Sequence, residues 1–233
     1  MTMGGKNIMN VRKLFEIGLG LPKSIILNFT QLPKKQAIRL PILVSYRTKF
    51  KSLKGNMYIK DTVKFGQIRI GLSGAGSGTA HYLPTVIENN GSIVFKGCVE
   101  IGGGCQICTV DTQSNLSIGN QTKFMGECHL VAAKSVTIGE ECAISWNTQI
   151  MDTDFHSIYK DQKKINNNED VKIGNHVWIA SHCLILKGCR IPDNIVIAAG
   201  SLIDSNQKDS FEENTIITGL PYRILKRDIS WRI

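Results

Sequence analysis

The chain has 233 residues, 42% of them hydrophobic, with a mean hydropathy of −0.05 and a formal charge of +9 from 28 Lys and Arg against 19 Asp and Glu. That length allows one domain plus an extension, and no apolar run approaches the ~18 residues a membrane-spanning helix needs. The N-terminus lacks the ordered basic, apolar and small-residue regions of a signal peptide, and seven cysteines, an odd number, fit reduced thiols in a cytoplasmic protein.

Residues 1–60 are expected to form short helical or irregular pieces, punctuated by Pro22, Pro33 and Pro41. They hold 12 Lys and Arg and one acid, Glu16, whereas residues 61–233 hold 16 basic and 18 acidic residues. The surplus charge therefore lies in this first quarter, interleaved with Ile25, Ile26, Leu27, Phe29, Leu40, Ile42 and Leu43. Two readings stay open: a solvated basic extension covering the end of the domain, or a segment that docks on an anionic membrane surface or attracts a polyanion.

Residues 61–204 carry a period of six. Ile173, Ile179, Ile185, Ile191, Ile197 and Ile203 follow one another without a missed step. The same spacing links Phe95, Ile101 and Ile107; Ile118, Phe124 and Leu130; and Ile138, Ile144 and Ile150. Neither a helix nor a flat sheet has this period; a parallel β-helix does, because each short strand with its corner consumes six residues. Gly102, Gly119, Gly139 and Gly174 directly follow ladder residues, where a sharp corner is expected to favour glycine.

The ladder breaks between Ile150 and Ile173, predicting a loop over 151–172 expelled from the scaffold, the kind of place where function concentrates. His156 lies near its root, beside Asp152 and Asp154, and is the candidate general base; either carboxylate, or a backbone carbonyl, could fix its tautomer. Residues 205–233 leave the ladder through a polar stretch, a strand at Thr215–Thr218, a turn at Gly219-Leu220-Pro221, and a short helix or extended tail.

Asp154-Phe155-His156-Ser157 and Ile173-Gly174-Asn175-His176-Val177-Trp178-Ile179-Ala180 resemble the hexapeptide-repeat acyltransferases, most of all the sugar and surface-polysaccharide O-acetyltransferases related to galactoside and maltose acetyltransferase. The likeness continues through Ile191-Pro192-Asp193-Asn194, Ile197-Ala198-Ala199-Gly200-Ser201 and Gly219-Leu220-Pro221-Tyr222-Arg223. It implies an all-β fold: a left-handed parallel β-helix over 61–204, with a mixed N-terminal extension over 1–60 and a C-terminal cap over 205–233. It also implies a homotrimer with active sites between subunits; the expectation of a cytoplasmic protein rests on the cysteines, and that of peripheral contact with the membrane, where the acceptor is lipid-linked, on the basic first quarter.

In those sites His156, with Asp154 beside it in the same motif, activates a saccharide hydroxyl to attack acetyl-CoA. The resemblance places Trp178, Ser181 and Ala199 along the pantetheine arm, with the N–H near Ser181 as oxyanion donor, and Arg223 and Lys226 at the CoA phosphates. Trp146 and Asn147 are candidate acceptor contacts. No metal and no nucleic acid is implied. Asp204-Ser205 stands where the family often has Thr-Lys, which removes one cation near the CoA nucleotide.

Three other features carry less. Gly74-Ala75-Gly76-Ser77-Gly78 is glycine-rich, but Pro84 follows rather than a helix. Cys105 and Cys108 have metal spacing without a second pair. His176 and His182 sit one ladder step apart, on different faces, and with His129 would have to share a metal in a carbonic-anhydrase-like lyase. The competing functions are therefore a non-catalytic β-helix scaffold, a serine-type acetyltransferase and that lyase.

Overall fold

The computed structural model describes residues 5–72, 82–207, 211–220 and 222–232, with side chains in the first helix from residue 14 onward. The glycine-rich segment 74–78 and Pro221 lie outside the described residues. Three sheets of nine, seven and six strands, parallel except for the last strand of the first, wrap one core, and up to that last strand the coils visit the three faces in turn. This is a parallel β-helix. The first face begins with Ile42–Val44, Ile68–Ile70 and Val99–Ile101; the second with Lys49–Leu53, Val86–Asn89 and Gln106–Thr109; the third with Asn56–Ile59, Ser92–Phe95 and Asn115–Ile118.

The period of six is the core itself. Ile144↔Ile179↔Ile197↔Ile217 are in register on the first face, Ile150↔Ile185↔Ile203 on the second, and Ile138↔Ile173↔Ile191 on the third. All are essentially buried. Burying each isoleucine is worth roughly 1.5–3 kcal/mol, and each packs on the equivalent residue of the coil above.

The stack starts earlier than residue 61. Residues 42–59 already make a complete coil, which the spacing hid because only one of its steps, Val44 to Phe50, is six residues long, while Phe50 to Ile59 is nine. At the other end Thr215–Thr218 extends the first face in parallel, and Arg223–Lys226 pairs with it antiparallel, so the tail is a strand and not a helix.

The expected short pieces before residue 42 are instead one helix, Gly5–Gln31, that runs through Pro22, followed by the turn Lys34–Ala37. A proline inside a helix clashes with the carbonyl four residues back. Here that residue is Gly18, and the helix is held through this turn by its packing on the solenoid. Leu27, Leu32 and Ala37 join the core. Side chains of the helix also satisfy the first strand, which has no neighbour on its outer side. Val44 N–H donates to Ser24 Oγ (3.0 Å) and Ile42 N–H to Asn28 Oδ1 (3.2 Å), while Asn28 Nδ2 donates to Ile42 O (2.7 Å). An unpaired sheet edge is a template for aggregation, and this helix blunts it.

The glycines after the ladder residues have a different cause from the expected corner. None of Gly102, Gly119, Gly139 and Gly174 has positive φ. A Cβ on Gly102, Gly119 or Gly139 would collide with the backbone carbonyl of the next coil, at Met125, Gly139 and Gly174. Close stacking of backbones excludes the side chain. The left-handed backbone sits elsewhere, in two columns: Gln121, Glu141, His176, Asn194 and Asn214, with φ between 53 and 58°, and Gly104, Glu127, Asn147, His182 and Gly200, with φ between 54 and 74°.

Candidate active site

Residues 152–170 leave the stack between Gln149–Met151 and Val171–Ile173 and carry a small antiparallel hairpin, Tyr159–Lys160 with Lys163–Lys164. Asp152 roots the loop. Its fully buried carboxylate accepts from the N–H groups of Ala133 and Lys134, both at 2.7 Å. Burial still raises its carboxyl above the ordinary value. Lys134 also meets Asp170 at 3.0 Å, so the coil above holds both ends of the loop.

Asp154 does not orient His156 within the subunit. Its carboxylate pairs with Lys187 Nζ from the coil below and accepts from Asn166 Nδ2 at 2.8 Å. The hydrogen bond from Lys187, more than that from Asn166, holds its carboxyl below the ordinary value. Asn166 ties the loop together. Its Nδ2 also donates to His156 O (2.7 Å), and its Oδ1 accepts from Ile158 N–H (2.6 Å). His156 N–H donates to Asp154 O at 2.6 Å across Phe155, which has φ +59°. The imidazole is exposed, and among the described residues nothing bonds to it.

A second group lies one face away. The registers Gln149↔Leu184 and Leu184↔Leu202 put Trp146, Ser181 and Ala199 in one column at the corner between the first and second faces, with Asn147, His182 and Gly200 beside them. The carbonyls of Trp146 and Ser181 accept from His182 and Gly200 N–H. Among the described residues nothing accepts from the N–H groups of Trp146, Ser181 or Ala199, so three backbone donors line this edge. The indole N–H of Trp146 is buried and unpaired.

Arg223 pairs with Thr218, at the same corner one coil further, and is exposed; Lys226 lies opposite Ile216, away from the corner. Trp178 stands on the first face, 39% exposed, donating Nε1–H to Ser145 Oγ at 3.2 Å and packing at 6.0 Å against Trp231 of the C-terminal tail.

Within one subunit the structure therefore unites Trp146, Asn147, Ser181, Ala199 and Arg223, and places Asp154 and His156 across the second face. The strand Gln149–Met151 with its flanks, about five residues or ~16 Å from Asn147 to Asp152, separates the first group from the root of the loop that carries the second. Asn166 and Lys187 were missed by sequence reasoning. An asparagine in a polar run gives no periodic signal, and Lys187 meets the loop only through the stacking of coils. Asp152 was noticed for the wrong role: it anchors the loop and does not face the imidazole.

The lesser features separate. Cys105 is buried, while Cys108 faces Glu88 on the outside of its strand, where burial pushes its thiol up to about 11. His176 stacks on Trp231 at one corner of the first face, and His182 lies at the other.

No family model matches the chain. It is 35% identical over 83 residues to the polysialic acid O-acetyltransferase of Neisseria meningitidis, a match covering 35% of the chain and only 36% of that enzyme's length. It is 28% identical over 153 residues to the galactoside O-acetyltransferase of Escherichia coli (strain K12), covering 63% of the chain and 72% of that protein. It is 31% identical over 148 residues to nodulation protein L of Rhizobium meliloti (strain 1021), covering 60% and 79%. Among solved structures, the polysialic acid O-acetyltransferase OatWY shares the fold, with a TM-score of 0.51 at 24% identity over 78% of this chain and 90% of that one. Relatives of this length and kind, on a scaffold built from six-residue steps, place the chain in the hexapeptide-repeat acyltransferases, in their saccharide O-acetyltransferase branch.

Proposed function

We propose that the chain transfers acetyl from acetyl-CoA to a hydroxyl of a saccharide used in surface polysaccharide or lipopolysaccharide synthesis, with His156 as the general base. The imidazole takes the hydroxyl proton as the oxygen attacks the thioester carbonyl. The developing oxyanion accepts from Ser181 N–H, and the proton passes to the departing CoA sulfur as the C–S bond breaks. The observation that carries this reading is the column of unpaired donors at Trp146, Ser181 and Ala199, which ends at the exposed guanidinium of Arg223. Such an edge fits a pantetheine arm, whose amides seek backbone partners, with its phosphates at a cation. A bare scaffold would need neither these donors nor an exposed His156.

The strand's width, ~16 Å, between this column and the root of the His156 loop leads to the assembly: a homotrimer of left-handed solenoids in which the loop of one subunit faces the edge of the next. Trp178 and Trp146 would line that groove, Asn147 would meet the acceptor, and Lys226 would assist Arg223. The extension and the tail would cap the solenoid ends. The enzyme would work in the cytoplasm, touching the inner face of the membrane where its acceptor is lipid-linked.

His156→Ala should lower kcat by about 10²–10⁴-fold with little change in the Kd for CoA. Wild-type turnover of the alanine variant on the true acceptor would move the base elsewhere.

A further inference from the structure

The first helix is apolar on two sides. Gly20, Ser24, Leu27, Asn28 and Gln31 face the solenoid and are buried. Leu14, Phe15, Leu19, Ile25, Ile26 and Phe29 are exposed, Phe15 at 65% and Phe29 at 51%. At 3.6 residues per turn these six fall within an arc of about 140°, centred opposite the buried face. Gly18 and Pro22 complete the arc, and the charged residues of the described helix, Glu16 and Lys23, lie outside it. Lys23 is turned inward, donating to Tyr46 O (2.7 Å) and Thr48 O (2.6 Å). Beyond the helix Ile38 is 73% exposed, among the exposed Lys34, Lys35 and Arg39.

We propose that this outward arc docks the enzyme on an anionic membrane surface, with the apolar side chains in the headgroup boundary and the basic residues at its ends on lipid phosphates. Three observations select that partner. An apolar face on an already docked helix leaves about six large side chains in water. Basic residues flank the arc in sequence, Arg12 and Lys13 before it and Lys34, Lys35 and Arg39 after it, which complements an anionic surface. A second copy paired symmetrically through the same arc would set these basic clusters against each other. The helix is not long and apolar enough to cross a membrane, so it would lie along the surface.

The purpose of docking, access to a lipid-linked acceptor, rests on the proposed function; the docking itself does not. The test therefore reads binding without turnover. Full-length protein is co-sedimented with vesicles of phosphatidylcholine alone or with added phosphatidylglycerol, at low and high salt. Binding should favour the anionic vesicles by about tenfold or more and weaken as salt rises. The Phe15→Ser, Ile26→Ser, Phe29→Ser triple variant should lose about tenfold in partitioning, with its thermal unfolding and its turnover of a small soluble sugar unchanged. Should that variant unfold, Phe29→Trp provides a second readout: its fluorescence should shift to the blue on anionic vesicles only. Equal partitioning to both vesicle types, no binding to either, or self-association that the triple variant abolishes while vesicles are ignored would each overturn the proposal.

Discussion

His156 is reached through a residue in unfavourable backbone geometry. Phe155, bulky and not glycine, is held at φ +59°, a conformation that costs about 1 kcal/mol or more and persists only where its surroundings impose it. Those surroundings are Thr153 Oγ1, which accepts from Phe155 N–H at 3.0 Å, and the Asp154, Asn166 and Lys187 cluster that closes the loop below. Lys187 makes the cluster depend on pH. The Asp154 carboxyl is held below its unfolded value, so the tie is fully present above the ordinary 3.8 and is lost as pH falls through the lower folded value. Lys187→Met should return that carboxyl toward its ordinary value. Amide exchange across residues 154–166 should then rise at neutral pH, and its acid-side increase should begin at a higher pH than in the wild type. Because His156 is displaced rather than removed, kcat should fall about tenfold with the KM for acetyl-CoA preserved. Unchanged exchange at both pH values would show that the loop holds without this pair. His156 was legible in the sequence because a loop interrupting a ladder is conspicuous. Its partners were not: adjacency along the chain suggested Asp154 for the imidazole, while the fold gave that carboxylate to a lysine 33 residues away.

Between single residues and the whole molecule, the coil is the element that matters, and its glycines show what a period does and does not encode. The ladder isoleucines were legible because burial repeats every six residues without exception. The reason for the glycines was not, since a corner with positive φ and a close approach between backbones leave the same letter. Gly139→Ala would drive a Cβ into Gly174 O, backbone that cannot move without shifting the coil. Gly200→Ala, at φ +72° and facing open space, should cost only the left-handed backbone, about 1–2 kcal/mol. Thermal unfolding should therefore rank Gly139→Ala as the more damaging; the reverse order would mean that corners, not stacking, limit the fold. The last coil carries a functional expectation as well. Arg223→Ala should raise the KM for acetyl-CoA while leaving kcat nearly unchanged, because a phosphate contact serves ground and transition states alike. Dephospho-CoA donors should narrow that difference, and an unaltered KM would assign Arg223 to holding the final strand.

At the scale of the whole molecule, a rigid stack fixes what one chain can bring together. Columns run along the axis, so Trp146, Ser181 and Ala199 meet although they are far apart in sequence, but nothing in the stack carries a residue across a face. The width of the second face, ~16 Å from the donor edge to the root of the His156 loop, is thus fixed within a subunit, since strands of a packed solenoid do not bend to close it. Two half-sites on one rigid body become a whole site when identical bodies meet head to tail around a closed ring, and three such contacts close a trimer. Sedimentation should find that trimer, and a fully active monomer would remove the idea. A sharper test uses two damaged chains. On the proposed mechanism His156→Ala lacks the base and Trp146→Ala part of the facing wall, so each variant alone should be nearly inactive. If each site takes its loop from one subunit and its edge from the next, unfolding and refolding the two together in equal amounts should restore about a quarter of the sites by random assortment. Restored activity near that level requires shared sites. No restoration, with mixed trimers shown by mass, would mean that each chain carries a complete site and that the loop reaches the donor edge of its own subunit.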